Sequence, residues 1–188
     1  MSVQSIQEAA TLQFRFASTD DAAAIADLVE SGYRGERSRS GWTTEADLLD
    51  GQRTSVDGVL EVLADSDGRI LLGEIDVDGV RQLVASAHLS RHPAYAYFGM
   101  FSVRPGLQNG GLGRQMLAEA ERIALNDWSL PEMRMSVIDL RTELVAWYER
   151  RGYQRTGIYL PFPYGDKRFG LPKRSDLRFE ILKKSLLD

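Results

Sequence analysis

The stretch Phe101-Ser102-Val103-Arg104-Pro105-Gly106-Leu107-Gln108-Asn109-Gly110-Gly111-Leu112-Gly113-Arg114 decides how this chain is read. Upstream, Tyr95 to Val103 is apolar enough for a buried strand. Downstream, Met116, Leu117, Ala120, Ile123 and Ala124 keep a helical period. A strand therefore ends in a glycine-rich turn that opens a helix. The first N–H groups of a helix lack intrahelical partners and carry the positive end of its dipole, which makes the turn an anion site. Gly110, Gly111 and Gly113 let a diphosphate approach the main chain. The Walker loop is disfavoured, because Arg114-Gln115 stands where Lys followed by Ser or Thr is required. The dinucleotide fingerprint fails on the glycine spacing. On this stretch alone, a plain glycine-rich connection stays open as the alternative.

The spacing Gln-x-x-Gly-x-Gly on a strand-to-helix turn resembles the acetyl-CoA pyrophosphate loop of the GNAT family of N-acetyltransferases. A second stretch, Val137 to Tyr153, reads as a strand and then a helix ending Tyr-Glu-x-x-Gly-aromatic, and resembles the family's second motif. With the order of elements, the resemblance runs from about Leu12 to Leu182. It implies that main-chain groups of Phe101, Ser102 and Val103 hold the pantetheine arm of acetyl-CoA in a gap between splayed strands. It further implies that Gln108, Asn109, Gly110, Gly111, Leu112, Gly113 and Arg114 take the pyrophosphate. Tyr148 matches the tyrosine that protonates the departing CoA thiolate. By residue type alone it reads as a buried tyrosine on an apolar helix face; the motif reverses that reading. Arg141 stands where many members carry an Asn on the cofactor arm, so its charge reaches a CoA phosphate or caps the site differently. The family's acceptor pocket is lined by the region between the first two helices, which makes Tyr33, Trp42 and Glu45 candidates for substrate contact. The alternatives are that Trp42 packs as a hydrophobic lid and that Glu45 partners a capping Thr. The strand Tyr97-Phe98-Gly99-Met100-Phe101 lacks the carboxylate that many members use as general base. Glu74, His88, Glu45 or an ordered water is left for that role, and water is the expectation.

Composition sets outer limits. At 188 residues and 43% apolar content, the chain is expected to form one domain, 11–188, behind a mobile lead, 1–10. There is no Cys, which excludes disulfides, thiolate metal sites and a cysteine nucleophile, and suits a cytoplasmic setting. With only His88 and His92 beside that, no metal is expected. No apolar run suits a bilayer span and no signal peptide is evident, so no membrane partner is expected. Net charge is −4; residues 1–78 hold 16 Asp/Glu against 6 Lys/Arg, and 150–188 hold 10 Lys/Arg against 4 Asp/Glu. The acidic balance speaks against a nucleic-acid partner, and the acidic first half could steer a cationic amine.

Along the chain, Thr11 to Ala17 alternates as a strand and a helix follows to about Ser31. A short helix is expected from Trp42 to before Gly51, and another over 56–63. Strands 69–75, 80–89 and 95–103 form an antiparallel meander with an Asp-Gly turn at 78–79. Helix 111–125, strand 133–138, helix 141–151 and strands from 153 and 177 complete it. The expected fold class is α/β (α+β), a mixed, mostly antiparallel sheet of six to seven strands flanked by helices. The expected function is acetyl-CoA-dependent N-acetyltransfer to a primary amine of a small molecule or peptide. A non-catalytic acyl-CoA sensor is the alternative, and a homodimer is left open.

Overall fold

The computed structural model describes residues 11–34, 38–39 and 44–187, without the Asn109 side chain. The lead 1–10 and the candidate Trp42 thus lie outside the described residues. Strand β1 (Gln13–Phe16) is followed by a 3-10 turn in which the Asp21 carboxylate accepts from Ser18 N–H at 2.8 Å. Helix α1 (Ala22–Tyr33) then buries Ala22, Ile25, Leu28 and Val29 at the expected spacing. It runs past Ser31 because Tyr33 is itself buried against the sheet.

The short helix expected before Gly51 is not formed. Its described part, 44–50, is a turn and then β2 (Leu49–Asp50). Thr44 Oγ1 accepts from Ala46 N–H at 3.1 Å and sets the turn, and Leu49 packs with Ile138, Phe162 and Leu177. Pairing with Leu171–Pro172, far along the chain, outweighs local helix propensity here. Helix α2 (Val56–Ala64) starts at Ser55, whose hydroxyl accepts from Gly58 N–H at 3.1 Å.

The meander β3 (Gly68–Val77), β4 (Val80–Arg91), β5 (Ala96–Val103) forms as expected. Asp78 and Gly79 both take positive φ, +54° and +81°, which the tight hairpin requires. After it come α3 (Leu112–Arg122), β6 (Glu132–Ile138), α4 (Thr142–Glu149), β7 (Gln154–Pro161), β8 (Leu171–Pro172) and β9 (Arg178–Ser185). Seven strands make one mixed sheet in the order β1-β3-β4-β5-β6-β9-β7, antiparallel except between β5 and β6. Both faces are covered. Ile70 and Leu72 of β3 pack with α1 and α2, while Leu71 and Ile75 join the cluster built on α3, α4 and β4 to β6. β3 is therefore apolar along most of its length rather than alternating.

Candidate active site

β5 and β6 touch only at their starts, Ala96 opposite Met133 and Tyr97 opposite Arg134, and then part. A register shift between Ser86 and His88 bends β5 there, with Met100 held at φ +46°. Gly99 is required at this bend. A Cβ on it would lie 2.7 Å from Tyr97 Cε1, so the glycine makes room for the Tyr97 ring. The Tyr97 hydroxyl lies 2.7 Å from Ser136 Oγ of β6 and ties the two strands together across the split.

Beyond that tie, the β5 edge faces an open cleft. Two of its carbonyls already have partners: Phe101 O accepts from the Tyr33 hydroxyl at 2.6 Å and Val103 O from Gln108 Nε2 at 3.0 Å. Arg104 N–H donates to Val84 O at 2.8 Å, so by antiparallel alternation Val103 N–H points to the cleft. Ser102 turns the other way, its buried hydroxyl donating to Leu28 O at 3.2 Å in α1.

The glycine-rich loop closes one end of the cleft. Gln108–Gly110 forms a 3-10 turn, and Gly111, at φ +77°, is the N-cap of α3. A left-handed cap costs an L side chain about 1–2 kcal/mol, so Gly111 is there for its conformation. Gly113 is there for space, since a Cβ would meet Phe101 Cζ at 3.3 Å and Trp147 Cζ2 at 3.5 Å. The first N–H groups of α3, from Leu112 and Gly113, have no intrahelical acceptor. They open on a groove of about 550 Å³ lined by Gln108, Gly111, Arg114, Glu143, Trp147, Arg150 and Arg151. Arg151 stacks 3.5 Å over the Trp147 ring and donates to Trp147 O at 2.7 Å, and its buried Nε has no partner among the described residues. Burial first, then the neighbouring Arg150 and Arg114, disfavours its charge. Crowded guanidiniums at a helix N-terminus form a site for a polyanion. Arg150 and Arg151 were not among the expected residues, although they directly follow the Tyr-Glu of the second motif.

On the other side of the split lies a cavity of about 360 Å³, lined among others by Tyr33, Glu45, Tyr97, Arg141 and Tyr148. The expected residues Tyr33, Glu45, Arg141 and Tyr148 thus converge. Tyr148 is 4% exposed and wedged edge-on between Trp147 and Tyr153. Among the described residues nothing hydrogen-bonds its hydroxyl. Burial, with a smaller push from Tyr33, moves its phenol well above the ordinary value. Its side chain lines the cavity, and the raised phenol stays protonated at neutral pH.

Glu45 is not a capping partner. Its carboxylate accepts from Arg34 Nη1 at 2.6 Å and Arg141 Nη1 at 3.0 Å, all three side chains being buried. Burial alone would raise its pKa; Arg141, Arg53 and Arg34 together outweigh it and hold the carboxylate below its usual range. Arg141 therefore lies on Glu45, with its guanidinium 5.7 Å from the centre of the Tyr33 ring. Arg34 and Arg53 were missed by sequence reading. Arg34 had one signal, its place beside Tyr33 in an arginine-rich loop, and Arg53, nineteen positions further on, had none. The other base candidates lie elsewhere. Glu74 is bonded to Arg15 at 2.9 Å across β1 and β3, and His88 of β4 is half-buried beside Gly68 of β3; neither lines the cavity. Nor does the acidity of the N-terminal half reach it, since the charged described residues of the cavity are three arginines and Glu45.

Among the described residues no helix is long and apolar enough to cross a membrane, and no group of three His, Cys, Asp or Glu is placed to hold a metal ion. Comparison with known proteins bears on the fold and the family. Residues 64–155 match the family model described as the acetyltransferase (GNAT) domain. No curated protein matches by sequence. A spermidine N-acetyltransferase from Vibrio cholerae, solved with CoA and spermine, is similar at 16% identity over 94% of this chain and 98% of that one, with a TM-score of 0.68. An N-acetyltransferase from Staphylococcus aureus Mu50 is similar at 9% identity over 95% and 100%, with a TM-score of 0.69. At such identities the likeness shows the fold alone. The segment that matches the acetyltransferase (GNAT) domain contains the bent β5, the glycine loop, α3 and α4, the elements that build both sides of the cleft.

Proposed function

We propose that the chain is an acetyl-CoA-dependent N-acetyltransferase that moves the acetyl group directly to a primary amine of a small molecule or peptide. The observation that carries this is the Tyr148 hydroxyl, buried and without an internal partner where the split between β5 and β6 meets the cavity. The α3 N-terminus with Arg114, Arg150 and Arg151 suits the phosphates of CoA, and the orphan Arg151 Nε supports that fit. Val103 N–H suits a carbonyl of the pantetheine arm. The carbonyls of Phe101 and Val103 are already engaged, and Arg141 serves the acceptor side through Glu45.

The amine lone pair attacks the thioester carbonyl, the C–S bond breaks and sulfur leaves as a thiolate. Tyr148 donates to that sulfur. A phenol raised by burial stays protonated at working pH, and its hydrogen bond strengthens as charge develops, so its proton moves late in the step. Solvent then restores it. Glu45, the one carboxylate among the described lining residues, has both oxygens engaged by guanidinium groups and is a poor base. The amine's own proton leaves to water.

The polyamine held by the Vibrio neighbour is one acceptor class to test. Calorimetric titration with acetyl-CoA, with dephospho-CoA as control, comes first, followed by CoA release with a panel of amines. Binding with release establishes the transferase; binding without release from any amine supports the sensor instead. No binding at high cofactor concentration refutes both.

A further inference from the structure

Resting on that reading, we infer that the acceptor amine carries a carboxylate, and that Arg34 and Arg53 are the residues that bind it. Three arginines and one glutamate among the described lining residues leave the cavity at a net charge of +2. Glu45 is fully used by Arg34 and Arg141. Arg34 is 7% exposed, yet among the described residues its Nε and Nη2 have no acceptor, and a buried guanidinium N–H left unpaired is costly. Among the described residues, no hydrogen-bond or ion-pair partner meets the Arg53 guanidinium either. It lies 5.3 Å from the centre of the Tyr33 ring, and its backbone is fixed because the N–H groups of Arg53 and Thr54 both donate to Glu30 Oε1.

Vacant guanidinium forks match a carboxylate in shape and charge. A polyamine, by contrast, would bring further positive charge into a low-dielectric space already carrying an excess. Leu49, Phe162, Phe169 and Phe179 on the same walls suit an apolar body between the two polar ends. With Tyr148 lining the same cavity, one small amino acid can meet the arginines with its carboxylate and present its amine to the reaction. The volume of about 360 Å³ is in keeping with such a molecule.

The test compares CoA release with phenylalanine against phenethylamine, methionine against 3-(methylthio)propylamine, and both against spermidine. The amino acids are expected to exceed their decarboxylated partners by about 10- to 100-fold in kcat/KM, the worth of one charge-assisted hydrogen bond. Arg53→Met should bring that ratio towards one by raising KM for the amino acid, with acetyl-CoA affinity by calorimetry retained, and Arg53→Lys should restore part of it. Spermidine or the decarboxylated amines reacting as well as the acids, or a ratio indifferent to Arg53, overturns the inference. Should no amine release CoA, the transferase reading has failed by itself. Calorimetry with phenylalanine still decides the inference: binding weakened by Arg53→Met upholds it, and no binding overturns it.

Discussion

Removing the Tyr148 hydroxyl separates chemistry from structure more cleanly than any other change in this molecule. In Tyr148→Phe the ring keeps its edge-on packing, 5.1 Å from Trp147 and 5.6 Å from Tyr153. The lost hydroxyl has no partner among the described residues, so no buried acceptor is stranded and folding stability should stay within about 0.5 kcal/mol of the parent. The hydrogen bond to the leaving sulfur is lost in the transition state only. A positioned proton donor contributes about 10²- to 10⁴-fold, or about 3–5 kcal/mol of barrier. kcat should fall by that factor while acetyl-CoA affinity changes less than about twofold, since the interaction is absent from the ground state. CoA release read with a thiol reagent suits this protein, because the chain has no cysteine and contributes no background. A kcat within threefold of the parent would remove Tyr148 from the acid role. A melting temperature lowered by many degrees would show instead that the hydroxyl serves the fold.

Gly113→Ala places a methyl 3.3 Å from Phe101 Cζ and 3.5 Å from Trp147 Cζ2, both parts of packed rings. It should cost about 1–3 kcal/mol of stability in a denaturant titration and weaken acetyl-CoA binding; parental values for both would show that the rings yield freely. Glu45→Gln leaves Arg34 and Arg141 without their shared counter-charge, and a loss of about 3–5 kcal/mol is expected by the same titration. The depressed pKa of Glu45 has a pH consequence. Its stabilising contribution is complete above the unfolded value of about 4.3 and is lost as pH falls below that, towards the folded value. Acid unfolding of the parent, compared with Glu45→Gln, should show this as a steeper decline below about pH 4.3 in the parent. With no free base among the described lining residues, log kcat/KM should rise with pH up to the pKa of the acceptor amine and move with that pKa across substrates. A fixed break near neutrality, shared by all amines, would point to a base on the enzyme.

Periodicity and punctuation carried most of the fold. The meander over 68–103, the Asp78-Gly79 hairpin, α3 and α4 are local features written in apolar spacing, turn residues and glycine stops, and they form where those signals stand. The loop Gln108 to Arg114 was legible for the same reason, because its use of glycine is local: Gly111 for a left-handed cap, Gly113 for the approach of Phe101 and Trp147. Tyr148 was found through its motif, since by residue type alone it is one aromatic on an apolar helix face.

What long-range packing decides was not legible. β2 and β8 are two residues each and exist only because they pair with one another, which no local pattern announces. The part of the chain expected to be a helix before Gly51 became turn and strand as a result. Arg141, read as a residue on the cofactor side, is held by Glu45, 96 positions earlier in the chain, and Glu45 in turn neutralises only part of the charge that Arg34, Arg53 and Arg141 bring together. The summed charge of the N-terminal half pointed to an acidic surface for a cation, whereas the cavity is positive, because net charge is a property of a whole segment and a binding site is made of the few side chains that the fold turns inward. Sequence alone thus determined the scaffold, the glycine-rich loop and the helix that carries Tyr148, each encoded within a dozen neighbouring residues. Tertiary structure decided the sign of the cavity and which guanidinium N–H groups lack an acceptor among the described residues, because both depend on contacts between residues that only folding brings within reach.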